Sequence, residues 1–222
     1  MIEGIAKMGK PMMISTGMTE LEEIDLTVNL VREFNTPFCL AHCISIYSPK
    51  FVNQLQLGVI PLLHTRYGVW VGLSDHTPPE GVSDPTGRQI SEETLLWTAI
   101  GAGAKFIEKH FTLDRNAPDA DSKFSHDPQT LKRLIQSVRS CEIALSAQRR
   151  VFEEEKPVHI WAKRSLFAIQ DIPPGMQITR QMLTSKRPGT GIRSKLYKEV
   201  IGKMSARAIA KGVMIKWSDI VK

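Results

Sequence analysis

Short apolar runs alternate with longer amphipathic stretches over the first two thirds of the chain. Each short run has the length of a buried strand, and each longer stretch repeats its apolar residues at helical spacing. Four such strand-helix units in succession predict a parallel sheet covered by helices, either a doubly wound sheet or part of a TIM barrel. The predicted strands lie in PMMISTGM, PFCLAHCISIY, VWVGLSDH and KFIEKHF.

Local capping signals predict where the helices begin. Thr19 and Glu22 form a capping box at the first helix, and a second helix is expected between Phe51 and Tyr67. A third begins after Ser91 and runs through Ile100, and the fourth begins at Asp127-Pro128, with Asp as the N-cap. The expected core face of this last helix consists of Leu131, Leu134, Ile135, Val138, Cys141 and Leu145.

Polar residues collect where the predicted strands end, which is where parallel α/β folds place their active sites. Ser74 and His76 are two residues apart, as are Glu108 and His110, so each pair projects from one face of its strand. Two imidazoles from neighbouring strands beside a carboxylate indicate a divalent metal site. The alternative is that one of the two histidines is only a hydrogen-bonded core or rim residue.

Several other reactive residues have simpler interpretations. His42 lies inside an apolar strand and is expected to be a core histidine. Cys39, Cys43 and Cys141 are odd in number and form no C-x-x-C pair, so we expect buried or inert free thiols in a reducing compartment. The acidic loop DRNAPDADSKFS lacks calcium-loop spacing and is typical of a solvated loop.

Composition narrows the class of function. The chain has 222 residues, of which 42% are hydrophobic, and a net charge of +6. Its basic residues are scattered and few aromatics accompany them, which favours small anionic substrates over nucleic acid. No run reaches the length of a membrane span and no signal peptide is apparent, so we expect a cytoplasmic protein without membrane association. Nucleotide-binding glycine motifs and the serine-hydrolase motif do not occur in it.

The chain changes character after the EEEKP run, Glu153 to Pro157. We expect a first domain at residues 1–150, a linker at 151–162 and a second domain at 163–222. The second part contains short β-type segments and an internal echo, in which residues 172–178 resemble residues 209–215. These features predict a small β-rich domain near the lower size limit for independent folding.

Six motifs occur in an order that resembles the sialic acid synthase family, the phosphoenolpyruvate-dependent synthases of N-acetylneuraminate and related nonulosonates. They are GKPMMISTGM, HCISIY, GLSDHT, IEKHFTLDR, KRPGTG and IGKMSARAIAKG. The resemblance covers nearly the whole chain and implies strands five to eight of a TIM (β/α)8 barrel, followed by an antifreeze-like SAF domain. Because a complete barrel takes about 250 residues, we expect the chain to be the C-terminal part of a longer synthase.

The resemblance also implies the chemistry of the site. His76 and His110 match the histidines that bind manganese or magnesium, which polarises the aldehyde of an open-chain N-acetylhexosamine. Ser74 and Glu108 match residues lining the phosphoenolpyruvate and sugar sites, and Glu108 is expected to accept or relay a proton or to stabilise a cation. Phosphoenolpyruvate adds through its C3 carbon, water attacks C2, and phosphate leaves by C–O cleavage.

Further substrate contacts follow from the same resemblance. Tyr47 matches a substrate-site tyrosine, and Ser45 stands where the family usually has Asn. Asp121 matches a loop aspartate near the sugar, although the preceding Pro118–Ala120 run departs from the family pattern. Arg187 matches an arginine that reaches the acceptor sugar in the partner subunit's active site, which implies a homodimer with swapped SAF domains.

Two other functions stay open on the sequence. The chain could be a catalytically inactive sugar-binding or assembly module built on the SAF domain, or another metal-dependent aldolase of the same barrel class with a different acceptor. For a synthase, the acceptor could be N-acetylmannosamine, its 6-phosphate or a diamino sugar leading to legionaminic or pseudaminic acid.

Overall fold

The computed structural model describes residues 1–221, which divide into two compact units. Unit 1 is Met1–Ala147 and unit 2 is Gln148–Lys222. Unit 1 contains, in chain order, α1 (Ile2–Ala6), β1 (Met12–Ser15), α2 (Leu21–Glu33), β2 (Phe38–Cys43), α3 (Val59–Tyr67), β3 (Val71–Asp75), β4 (Val82–Ser83), β5 (Gln89–Ile90), α4 (Glu92–Gly101), β6 (Ile107–Lys109) and α5 (Pro128–Ala144). Unit 2 contains α6 (Lys156–Ala162), β7 (Ser165–Ala168), β8 (Leu183–Lys186) and α7 (Tyr197–Val200).

A four-stranded parallel sheet organises unit 1, with the strands in the order β1, β2, β3, β6. Strands that are adjacent in this sheet are also consecutive in the chain, except that the separate β4–β5 hairpin lies in the connection between β3 and β6. The register places Cys43 opposite Ser74 and Ser74 opposite Glu108. The predicted α/β architecture is confirmed, with helices supplying the crossovers that parallel strands require.

The sheet has two different faces because successive side chains of a strand alternate. Leu40, Leu73 and Ile107 belong to the apolar core that the helices cover. The opposite face carries Ser74 hydrogen-bonded to Glu108. We call these the helix side and the open side of the sheet.

The predicted start of the first helix is wrong by about one residue. The Glu23 carboxylate accepts a hydrogen bond from the Glu20 backbone N–H at 2.9 Å, so the reciprocal cap forms there and not between Thr19 and Glu22. The Thr19 hydroxyl donates instead to the Thr16 carbonyl at 2.7 Å. Thr19 therefore stabilises the turn that precedes α2.

The helix expected between Phe51 and Tyr67 is also shorter than predicted. Only a 3-10 turn at Val52–Gln54 and helix α3 form in this segment. Gln56 interrupts them with a φ of 46°, a left-handed conformation that an α-helix of L-residues does not accommodate. The spacing of apolar residues is thus helical before and after Gln56, but the helix itself is interrupted at Gln56.

The predicted starts of α4 and α5 are confirmed by their caps. The Ser91 side chain accepts from the Thr94 backbone N–H, and the Asp127 side chain accepts from the Thr130 backbone N–H. Within residues 1–221, none of the helices combines the length and the apolar composition that crossing a membrane would require.

The predicted core face of α5 is correct only in part. Leu134 and Cys141 are buried, whereas Ile135 and Leu145 are half exposed. Ile135 borders a groove of about 520 Å³ between α4, α5 and β6. The apolar stripe on α5 is therefore wider than the part of it that packs on this sheet.

Unit 2 has a core of its own, which includes the fully buried Ile178 and Ile215. Strands β7 and β8 form an antiparallel pair, and isolated bridges supply most of the remaining β structure. The two halves of the internal echo meet where Ile172 and Ile209 exchange backbone hydrogen bonds of 2.9 Å. The repeat in the sequence is thus a structural pairing within one small core.

We expect Gly72→Ala to destabilise the sheet beneath the open-side residues. A Cβ at Gly72 would lie 2.5 Å from the Phe106 ring, so the ring or the strand must move, at a cost of about 1–3 kcal/mol. Urea unfolding followed by circular dichroism measures this loss. Gly101→Ala is the matched control, because a Cβ there meets nothing within 4 Å. Equal stability of the two variants would contradict the expectation.

Candidate functional site

The ends of β3 and β6 bring Ser74 and Glu108 together on the open side. The Ser74 hydroxyl donates a hydrogen bond to Glu108 Oε1 at 3.1 Å. Ser74 is buried and Glu108 is exposed, so a buried hydroxyl group holds the carboxylate while solvent can still reach it. The structure thus places in one contact two residues that the sequence assigned to a shared site.

His76 and His110 follow β3 and β6 by one residue each, and their ring centroids are 5.1 Å apart. His76 Nδ1 lies 3.0 Å from the Ile44 carbonyl oxygen. Because a carbonyl only accepts, Nδ1 carries the proton of the neutral ring and Nε2 keeps its lone pair. The neutral His76 ring is therefore held in the tautomer that is protonated at Nδ1.

The loop after β6 supplies a partner for the second imidazole. Asp121 Oδ2 lies 3.4 Å from His110 Nδ1. Asp119 shapes this loop, since its carboxylate accepts from the Asp121 and Ser122 backbone N–H groups at 3.1 and 2.8 Å. The hydrogen bonds from Ser122 also hold the pKa of Asp119 below its usual value. The acidic loop is therefore a shaped turn that presents Asp121 to His110, and not only a solvated segment.

Two aromatic rings flank the histidine pair. The Tyr47 ring centroid lies 4.2 Å from that of His76, and the Phe124 centroid lies 4.9 Å from that of His110. Phe124 is buried, whereas Tyr47 is more than half exposed. Sequence reasoning missed Phe124, for which the only signal is an apolar residue in an otherwise acidic loop. The rings make one side of the site apolar.

Cys43 lies below His76 among several hydroxyl groups. Burial alone would raise the pKa of its thiol, but hydrogen bonds with His76, Ser45 and other neighbouring hydroxyls lower it to about 7. The same thiol raises the pKa of His76. All three cysteines are free, as expected, and Cys43 is buried, but its lowered pKa does not fit an inert thiol.

Ser45 occupies the wall of the site beside Gly17. Its hydroxyl lies 3.7 Å from the Cys43 sulfur. A Cβ at Gly17 would overlap the Ser45 hydroxyl oxygen, so a side chain at this position would displace that hydroxyl group. The structure therefore brings Ser45 to the same strand ends as the histidine pair.

The donor atoms present suit a divalent cation with an open coordination sphere. The Nδ1 atoms of His76 and His110 lie 3.0 and 3.4 Å from neighbouring oxygens, and an imidazole with such a partner can present its other nitrogen to a metal. Imidazole is a good ligand for transition ions such as manganese. Residues 1–221 hold no cluster of three or more His, Cys, Asp and Glu side chains arranged around one metal position.

The remaining histidines of interest lie on the helix side. His42 is buried and its Nε2 lies 2.9 Å from the Leu55 carbonyl oxygen, which confirms it as a core histidine. His126 is buried with its Nε2 2.9 Å from Glu92 Oε1.

Arg187 belongs to unit 2 and is exposed. Its guanidinium carbon lies 4.7 Å from the centroid of the Trp161 ring, which is also exposed. This cation-π contact orients the side chain at the surface of unit 2. The role of Arg187 in a partner's site stays a prediction.

Comparison with known proteins gives a consistent result over both units. Residues 1–150 match the model of the NeuB family, and residues 163–221 match the SAF domain. The chain is 32% identical over 216 residues to the N,N'-diacetyllegionaminic acid synthase of Legionella pneumophila, covering 95% of this chain and 57% of that protein. It is 33% identical over 216 residues to a pseudaminic acid synthase of Campylobacter jejuni, covering 97% of this chain and 59% of that protein.

A solved structure extends the comparison to the fold. The spore coat polysaccharide biosynthesis protein E of Chromobacterium violaceum superposes with a TM-score of 0.81 at 22% identity, over 100% of this chain and 63% of that one. The chain spans about three fifths of the length of these curated relatives. The resemblance drawn from the motifs is thereby confirmed: the chain belongs to the NeuB family and carries a SAF domain.

Proposed function

We propose that this chain acts in the condensation of phosphoenolpyruvate with an N-acetylated hexosamine, which yields a sialic-acid-type nonulosonate and phosphate. One observation carries the proposal: two imidazoles with centroids 5.1 Å apart follow the two strands on which Ser74 donates a hydrogen bond to the Glu108 carboxylate. The names of the two synthases above support the same class of product. Three free cysteines suit the reducing cytoplasm, where we place the reaction.

His76 and His110 would hold a manganese or magnesium ion. When bound, the ion supplies a Lewis acid that polarises the aldehyde of the open-chain sugar. The contribution of the chain is orientation, because the Ile44 carbonyl oxygen holds the first ring and the Asp121 carboxylate lies 3.4 Å from the second. The ligand nitrogens are thereby directed before substrate arrives, which lowers the entropy cost of assembling the site.

Glu108 is the group best placed to manage a proton. In the reaction, C3 of phosphoenolpyruvate bonds to the aldehyde carbon, water attacks C2, and the C–O bond to phosphate breaks. Ser74 holds one carboxylate oxygen of Glu108, and the other is free to accept the proton of the attacking water or to stabilise the cationic C2.

The walls of the site suit a sugar. Tyr47 presents an exposed ring beside His76, and such faces pack against the apolar side of a pyranose or its open chain. Ser45 offers a hydroxyl group near by for polar substrate atoms. The acceptor can be N-acetylmannosamine, its 6-phosphate or a diamino sugar, and an assay with all three separates them.

The metal role predicts that His76→Ala or His110→Ala weakens manganese binding and phosphate release. Each variant loses one of two imidazoles, so we expect at least about a hundred-fold loss of phosphate release, equivalent to ~3 kcal/mol. Manganese electron paramagnetic resonance and a phosphate assay with the three acceptors measure both effects. His64→Ala is the control, because His64 is an exposed residue of α3. Unchanged manganese affinity in both site variants would refute the metal assignment.

The role of Glu108 predicts a different pattern for Glu108→Gln. The amide keeps a hydrogen bond to Ser74 but cannot take up a proton, so kcat should fall about 10²-fold or more. Manganese affinity should change only a few-fold, because Glu108 is not assigned as a ligand. Ser74→Ala is the companion variant and should reduce kcat less, since the carboxylate remains. A loss of metal binding with unchanged kcat would reverse the assigned roles.

We also propose that Arg187 serves the active site of a partner subunit in a swapped homodimer. The proposal is supported by its exposed, aromatic-backed guanidinium, which is suited to an anionic or polyhydroxy ligand. The two-fold symmetry of a dimer gives a direct test.

Mixing two inactive variants should restore activity if the arginine acts across the dimer. In a dimer of Arg187→Ala with His76→Ala, one site has both its histidines and the arginine of the other subunit. After subunit exchange we expect about a quarter of wild-type activity, because half of the dimers are mixed and each has one working site. Size-exclusion chromatography first checks that dimers form. No gain over the separate variants would mean that Arg187 does not act in the partner's site.

A further inference from the structure

We propose that a buried polar network on the helix side of the sheet, formed by Lys109, Asp75, Glu92 and His126, positions His76 and His110 from behind. We call it the back network, and its members are positioning residues because they reach the substrate only through the histidines. The inference rests on the proposed use of the two histidines as ligands, and it assigns a role to four residues outside that site.

The Lys109 ammonium group is fully paired. Its Nζ lies 3.0 Å from Asp75 Oδ2, 2.6 Å from Glu92 Oε1 and 2.6 Å from the Thr77 carbonyl oxygen. An ammonium group has three N–H donors, so these three acceptors use all of them. The side chains of Lys109, Asp75 and Glu92 are each at most 5% exposed. The lysine is thus fixed in one position.

The network acts on both sides of His76. Asp75 precedes it and Thr77 follows it, and Lys109 binds both of these residues. Asp75 Oδ1 also accepts from the Thr77 backbone N–H at 3.0 Å and from its hydroxyl at 2.6 Å. The backbone through His76 is therefore held at two points.

His110 is held in a similar way. Lys109 precedes it, and the His126 backbone N–H donates to the His110 carbonyl oxygen at 2.9 Å. The His126 ring in turn lies 2.9 Å from Glu92 Oε1, the same oxygen that Lys109 contacts. Glu92, in the first turn of α4, therefore connects the two anchors of His110.

Stability alone does not account for this arrangement. A buried ion pair often stabilises a fold no better than packed apolar side chains would, because desolvation offsets the attraction. A paired network is, however, strongly selective for one geometry, since any shift leaves a buried charge without a partner. That property suits a support for two rings whose separation has to be fixed.

The experiment compares two network variants with a surface control. Lys109→Met removes the ammonium group and keeps the length of the side chain, and Glu92→Gln keeps its shape and removes its charge. Lys105→Met is the control, because Lys105 is exposed just before β6. Long-range nitrogen-15 NMR of the imidazoles reports ring tautomers without metal, and manganese titration reports affinity. Urea unfolding identifies the variants that remain folded.

We expect the wild-type chain to show His76 as a single tautomer protonated at Nδ1. Lys109→Met and Glu92→Gln should show mixed tautomers of His76 or His110 and manganese affinity about 10- to 100-fold weaker, the range for groups that orient metal ligands. Lys105→Met should match the wild type. If Lys109→Met does not fold, Glu92→Gln decides the test.

The outcomes separate this inference from the proposed function. Unchanged ring spectra and affinity in a folded network variant, with manganese binding still lost in His76→Ala, would overturn the back network and keep the metal site. Mixed tautomers in the variants of a chain that does not bind manganese would support the network and remove the metal role. Identical spectra in all variants, without manganese binding, would overturn both.

Discussion

The pairing register between β3 and β6 is the constraint on which the site depends. Ser74 stands opposite Glu108 and Asp75 stands opposite Lys109, so a hydrogen bond forms on one face of the sheet and an ion pair on the other. A slip of one residue would send every side chain of β6 to the wrong face. Lys109 would then enter the open side and Glu108 would be buried without its partner. Both faces therefore select the same register.

The two faces place charge in different surroundings. On the helix side the ions are buried, where electrostatic interactions are strong and unpaired groups are costly. On the open side Glu108 is exposed and its charge is available to a ligand. Unit 2 adds a further charge pattern, because Lys and Arg outnumber Asp and Glu there, whereas the reverse holds in unit 1. The net positive charge of the chain is thus carried by the SAF part, and a basic surface of this kind favours the approach of small anions.

Local sequence patterns predicted much of the fold and the residues on the open side of the site. Strand alternation separated Glu108 from Lys109, and caps at Ser91 and Asp127 located two helices. Contacts between residues distant in sequence were not predictable in this way. Phe124 contacts His110 only because of the path that its loop follows. A continuous helix was expected across Gln56 because the spacing of apolar residues does not show that the φ angle of Gln56 is positive. The periodicity of apolar residues predicts the face on which a side chain lies, but it does not predict which residues will pack against that face.

The runs of consecutive polar residues at the ends of β3 and β6 reflect the alternation of side chains between the two faces of the sheet. In the segment 74–77 the first and third residues face the open side, while the second belongs to the back network and the backbone carbonyl of the fourth accepts a hydrogen bond from Lys109. In the segment 108–110 the outer two residues face the open side and Lys109 faces the helices. Neighbours in the chain thus lie on different faces, since one set is on the open side and the other faces the helices. A substitution on the open side of such a motif should change the chemistry of the site, whereas a substitution on the helix side should change the positions of the strands. Only the structure shows which helix-side residues are paired with one another.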